Sequence, residues 1–243
     1  MLQDGQGNQI PFEVYRDSAY SQPLQPNQSI QLNTVNLISI GASNTAIGLY
    51  FRTISGANVP AGTYTANITL NWQWAICTVG VLGVCLWDRS FGLQQTCDPS
   101  CGPPTNWGSG KLATVAISLV VTKACRIDNL PNLDFGSLAL PSQFSAVQQS
   151  FAVTCTVTEG YILSFDNGLH YQAPWRRLSN GSAFLRYNLY HNSGGLNWNA
   201  TTPLATNGSG LLQNFTYQAV IDPTQANVPV GVYTDTVLLI INY

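Results

Sequence analysis

Apolar and polar residues alternate with period two in short runs along this chain, the runs are separated by Gly, Pro and Asn clusters, and helical periodicity is hard to find. The clearest run extends from Thr63 to Trp74. Tyr64, Ala66, Ile68, Leu70, Trp72 and Trp74 fall on one face, and Thr63, Thr65, Asn67, Thr69, Asn71 and Gln73 on the other. Successive side chains of a strand point to opposite faces, so the run predicts one long strand with its apolar side on a core. Further strands are expected at 112–121 and in the apolar run around Thr236 to Ile241. The pattern predicts an all-β sandwich or barrel.

The runs also repeat. Val59-Pro60-Ala61-Gly62-Thr63-Tyr64-Thr65 recurs as Val228-Pro229-Val230-Gly231-Val232-Tyr233-Thr234, with a long strand expected after each. Ile10-Pro11-Phe12-Glu13-Val14-Tyr15-Arg16-Asp17-Ser18 resembles Leu185-Arg186-Tyr187-Asn188-Leu189-Tyr190-His191-Asn192-Ser193, in the same order and at nearly the same offset. Two homologous domains are therefore expected, 1–122 and 123–243. The copies are unequal. The stretch from Cys125 to Phe184 precedes the second echo, while only Met1 to Gln9 precedes the first, so the first domain is expected to be truncated at its start. At the other end Tyr243 aligns with Trp74, whereas the first copy runs on to a further strand. The second domain is expected to lack its final strand, and strand 112–121 to complete the first domain in cis.

Composition narrows the class. Apolar residues make up 45% of the chain and aromatics 11%, enough for a buried core and against disorder. Charged residues are 8%, far below the usual quarter, so the polar surface is built from uncharged groups, as in secreted or fibrous proteins. With a net charge of −2 and no basic run, nucleic acid and anionic membranes are poor partners. No apolar stretch approaches the roughly 20 residues of a spanning helix, so no membrane span is expected. Met1 to Gln6 has neither the basic nor the apolar region of a signal peptide although the rest looks exported, and an upstream segment is expected to be missing.

The cysteines, Cys77, Cys85, Cys97, Cys101, Cys125 and Cys155, are even in number and suggest an oxidising compartment. Many pairings are open. The least demanding topologically joins nearest neighbours, 77–85, 97–101 and 125–155; a zinc site of Cys77, Cys85, Cys97 and Cys101 lacks any CxxC pair. Between Cys77 and Cys85 the sequence carries no charge and four aliphatic side chains, Val79, Val81, Leu82 and Val84. Loops are usually polar, so this one is expected to project as a hydrophobic finger, the alternative being a loop tucked into the sandwich. The turn from Cys97 to Pro104 reads as a rigid scaffold for Trp107. Trp87 and Trp107 read as half-buried, with stacking on sugars a minor option.

Catalytic chemistry has little material. Glu13 and Glu159 fall in different domains, His170 and His191 lack a nucleophile motif such as GxSxG, and HExxH is absent from the sequence. No catalytic residue, metal ligand or cofactor is expected. Asp166 with His170 reads as a loop hydrogen bond, and Arg176, Arg177 and Arg186 as structural partners of Asp166, Asp222 or Asp235.

Cys125, Asp134-Phe135-Gly136, Phe151-Ala152-Val153-Thr154-Cys155-Thr156, Leu185-Arg186-Tyr187-Asn188-Leu189-Tyr190 and Val228-Pro229-Val230-Gly231-Val232-Tyr233-Thr234-Asp235-Thr236-Val237 stand in a familiar order. Over nearly all of its second half the chain resembles the spore coat protein U-like subunits of archaic, Csu-type chaperone–usher pili. The resemblance implies two tandem immunoglobulin-like β-sandwich domains that are incomplete. Such domains are filled in the periplasm by a chaperone strand and in the fibre by the N-terminal strand of the next subunit. A two-domain member with a divergent front half looks like the tip adhesin. The implied partners are a periplasmic pilus chaperone, an outer-membrane usher and the adjacent pilus subunit. The donor-strand groove is expected along Val237, Leu239, Ile241 and Tyr243. An abiotic or host surface would be met through Val79, Val81, Leu82 and Val84, at a pilus tip on the cell surface, in attachment and biofilm formation. The alternatives are a structural pilus or coat subunit without adhesive role and a secreted carbohydrate-binding module.

Overall fold

The structure is a computed structural model that describes residues 1–29, 48–81, 84–96, 103–191 and 195–243, without the side chains of 76–86. It divides into two compact units. One comprises Met1–Ala57 and Thr63–Val120, the other Asn58–Gly62 and Val121–Tyr243.

The first nine strands are β1 (Leu2–Gln3), β2 (Gln9–Ile10), β3 (Phe12–Tyr15), β4 (Pro23–Leu24), β5 (Tyr50–Thr53), β6 (Gly62–Trp72), β7 (Ala75–Val81), β8 (Val84–Arg89) and β9 (Lys111–Val121). They form a four-stranded sheet in the order β2-β1-β6-β9, a three-stranded sheet β4-β3-β5 and a separate hairpin β7-β8. Burial in β6 alternates as its sequence predicts: Tyr64 is fully buried, Ala66, Ile68, Leu70 and Trp72 are half-buried, and the residues between them are exposed. The strand stops at Trp72 rather than Trp74. Gly110, at φ +68°, lies so close that a Cβ there would sit 2.4 Å from the Trp72 carbonyl, and the Trp74 carbonyl accepts the Ser90 N–H at 2.9 Å. The chain is turned at that point to close the base of the hairpin. β9 lies beside β6, with Ala113, Val115, Ile117, Leu119 and Val121 half-buried and Leu112 and Val120 exposed.

The segment expected to be a projecting loop is for the most part strand. β7 and β8 pair antiparallel from Ala75↔Arg89 to Val81↔Val84, with a bulge between Cys77 and Val79. Its β-branched residues favour extended backbone, and this overrides the loop reading drawn from its glycines. Leu82 lies outside the described residues, as do the side chains of Val79, Val81 and Val84 and the expected bridges 77–85 and 97–101.

The second unit contains β10 (Cys125–Asn129), β11 (Val147–Cys155), β12 (Gly160–Phe165), β13 (Arg176–Ser179), β14 (Phe184–His191), β15 (Leu204–Asn207), β16 (Gln213–Ile221) and β17 (Leu239–Asn242). A five-stranded sheet, β10-β11-β16-β14-β13, and a three-stranded sheet, β15-β12-β17, enclose one core. Phe151 and Val153 of β11, Leu185 and Leu189 of β14 and Tyr217 and Ile221 of β16 meet Tyr161, Leu163 and Phe165 of β12 and the buried Trp198. The Phe165 and Trp198 rings stand edge to face at 5.3 Å, and the Trp198 indole donates to the Leu163 carbonyl at 3.0 Å, so the polar handle of the largest core side chain is satisfied. This is an immunoglobulin-like β-sandwich. In the first unit β3, which carries Phe12 of the first echo, pairs antiparallel with β5, and in the second β14, which carries Tyr187 of the second echo, pairs antiparallel with β16.

Candidate functional site

The same motif behaves differently in the two units. After Val59-Pro60 it forms the 11-residue strand β6, with β1 on one side and β9 on the other. After Val228-Pro229 only the 4-residue β17 forms. It pairs with β12 through Phe165↔Leu239 and Leu163↔Ile241, and its other edge has no strand partner among the described residues. Upstream, Thr234 bridges to Ser179 of the opposite sheet, and the residues between Thr234 and Leu239 belong to no strand. Tyr233, Val237, Leu239 and Ile241 pack on the core but stay half-buried, as do Cys125, Leu133, Phe135 and Phe144. An unpaired edge above half-covered apolar side chains is a template for an added strand.

The structure thus brings Val237, Leu239 and Ile241 together in one inward row. It does not bring Tyr243 into that row: this residue follows β17, is 58% exposed, and lies with Asn242, Ile162 and Asn207 along a shallow depression.

Cys125 and Cys155 are directly opposite in the β10–β11 pair and form a disulfide. With a sequence separation of 30, the bridge restricts the unfolded chain and is worth about 3–4 kcal/mol in the chain-entropy model. Replacing both cysteines by alanine is expected to lower the second unit's stability by about that amount, read in urea from hydrogen exchange of its core amides, Val153 and Ala219. A loss below about 1 kcal/mol would show that the bridge adds little to the folded unit.

Polar groups gather where β12 hands over to β17. The Asp166 carboxylate accepts the N–H groups of Gly168 (3.1 Å) and Leu238 (2.9 Å), while its own N–H donates to the Leu238 carbonyl at 3.0 Å. Asp235 accepts the Leu169 N–H at 2.9 Å through one oxygen and the Tyr187 hydroxyl at 2.7 Å through the other. Burial, and next the hydrogen bond to Asp235, push the Tyr187 phenol far above its ordinary range, so it stays a donor. Arg176 is 1% exposed. Its guanidinium donates to the carbonyls of Phe165, Asp166 and Trp198 and to the Asn197 side chain.

These contacts correct three expectations. Arg186 does pair with Asp222, at 2.6 Å. Arg176 instead satisfies its donors on strand-end carbonyls, which reach it in the interior where no carboxylate does. Arg177 donates to the His170 carbonyl and to Gln172 and covers the Phe184 ring at 4.1 Å. Asp166 uses its acceptors on backbone N–H groups rather than on His170. Trp87 is half-buried as expected, and Trp107 is 40% exposed. Asp235, expected from its sequence to pair with an arginine, is held instead by Tyr187 and the Leu169 N–H, and the signal for such a role was a carboxylate beside an apolar strand run of a chain with so few charges.

Fold and open edge together define an immunoglobulin-like domain whose last strand has one edge without a strand partner among the described residues. The model of the Spore Coat Protein U domain matches residues 1–71 and 111–239, and the chain belongs to that family. A crystal structure of the CsuC–CsuE chaperone–tip adhesion subunit pre-assembly complex, from the archaic chaperone-usher Csu pili of Acinetobacter baumannii, is similar in fold. It shows a TM-score of 0.65 and 24% identity over 100% of this chain and 80% of that one. The P pilus rod subunit PapA is a weaker likeness, with a TM-score of 0.40 and 17% identity over 49% of this chain and 98% of that one. No curated protein matches the sequence.

Proposed function

We propose that this chain is the tip subunit of a bacterial chaperone–usher pilus, joined to the fibre by a strand inserted beside β17 and attached to surfaces through the β7–β8 hairpin. The observation that carries the reading is the contrast between the two copies of one motif, an 11-residue strand where β9 lies alongside and a 4-residue strand whose outer edge has no strand partner among the described residues. A donated strand would extend the ladder along 231–242 and cover Val237, Leu239 and Ile241. Main-chain hydrogen bonds would supply affinity and the apolar row register.

The pairing of β9 supports placement at the tip. A shaft subunit must lend a strand to its neighbour, yet the segment before Cys125 that would serve is already hydrogen-bonded to β6 within its own chain. A chain that receives a strand at β17 while β9 is engaged in its own sheet would end a fibre. In this reading a periplasmic chaperone fills the groove first, an outer-membrane usher exports the complex, and the adjacent subunit replaces the chaperone strand at the cell surface.

Gold-labelled antibody against the first unit, applied to piliated cells, is expected to mark fibre ends. Label distributed along the shafts would mean a structural subunit instead.

A further inference from the structure

We infer that Asp235, held by Tyr187 and Leu169, together with Asp166, keeps the unfilled strand position open and in register, so that these side chains set the rate at which the second unit takes up a partner strand. The inference rests on the reading that a strand is donated to β17.

Within 233–242 the chain changes partners. Thr234 and Ser179 exchange both backbone hydrogen bonds (2.8 and 3.0 Å), on the side of β13, whereas Leu239 to Asn242 pair with β12 of the other sheet. Between these anchors no strand forms, and the backbone is held by one backbone bond, from the Asp166 N–H to the Leu238 carbonyl, and by two carboxylates. Asp166 takes the place of the next ladder carbonyl by accepting the Leu238 N–H. Asp235 ties the crossing segment to the turn after β12 through Leu169, and to β14 through Tyr187.

The turn is shaped for this carboxylate. Gly168 adopts φ +71°, and a Cβ on it would lie 2.2 Å from an Asp235 oxygen. Any other residue there would meet both the strain of left-handed backbone and the carboxylate itself. Arg176 fixes the other side of the turn by holding the Phe165 and Asp166 carbonyls. In the first unit the position equivalent to Asp235 is Ala66, in the middle of the continuous strand β6 beside β9. The carboxylate stands in the copy whose strand is unfilled, and the alanine in the copy whose strand is filled.

The test uses the full chain and a synthetic peptide with the sequence of β9, Lys111–Val121, as the probe strand. Tyr187→Phe and Asp235→Ala are expected to slow peptide association about tenfold or more, the scale of losing a hydrogen bond to a charged group, and to leave dissociation nearly unchanged, because the added ladder then holds the strand. Exchange of the Leu169 and Leu238 amide hydrogens should quicken in both variants, while that of Val153 and Ala219 in the core does not. Asp235→Asn retains an acceptor for Leu169 and can donate to the Tyr187 oxygen, so it should restore most of the rate. Wild-type association rates in Tyr187→Phe and Asp235→Ala would overturn the inference, as would equal quickening of exchange throughout the core, which marks a general loss of stability. No uptake of peptide by the wild-type chain would instead remove the donated-strand reading, and the inference with it.

Discussion

A chain carrying Val81→Ser and Leu82→Ser is expected to assemble into pili in normal number and to attach to plastic at least about tenfold less well. An aliphatic side chain gains about 1.5–3 kcal/mol on full burial against an apolar surface, before the cost of immobilisation. Removing two of four such side chains therefore takes away a large share of what one hairpin can contribute. Many tips acting together raise a weak single contact by effective concentration, so the loss per tip is multiplied on whole cells. Residues 78–84 carry no charge, and attachment should change little with moderate salt or with a chelator. Fibre counts by microscopy beside a binding assay on the same cells decide the matter. Full attachment by fully piliated mutants would refute the hairpin's role, and loss of fibres would place these residues in the core.

Ile241→Asp is expected to abolish capture of a partner strand. Ile241 faces the core from β17 and would be covered by the incoming strand, so a carboxylate there would be enclosed without a partner, at a cost of several kcal/mol. Ile240→Asp on the same strand provides the control, since Ile240 points outward and is 36% exposed. Binding of the Lys111–Val121 peptide should be lost in the first variant and kept in the second. Equal binding by both would mean that the strand does not dock over the inward row.

Much of this was legible before any coordinates. The alternation in β6 fixes its faces because an antiparallel sheet with one side on a core reads its burial directly into sequence, and the repeat was visible because Val-Pro-x-Gly-x-Tyr-Thr punctuates both copies. The short β17 was not legible. Residues 231–238 share Gly, Tyr and Thr with the start of β6 and place Tyr233 and Val237 inward, with Asp235 between them, but strand formation depends on what lies alongside, and a sequence pattern does not record a missing neighbour. The hairpin was misread as a loop because glycines at 80 and 83 suggest a turn, while pairing of the flanking valines is a tertiary event. The partners of Arg176 were missed for a related reason: counting charges suggests ion pairs, whereas a buried guanidinium is equally well satisfied by carbonyls that only the fold brings together.

The central claim, that the second unit is completed by a strand from another chain, is tested most directly by amide hydrogen exchange along 231–242 of the full chain, with and without the Lys111–Val121 peptide. The account predicts protection confined to β17 and the few anchored amides before it in the free chain, spreading to a continuous strand when the peptide is present. Continuous protection without peptide, or no change at saturating peptide, would contradict it.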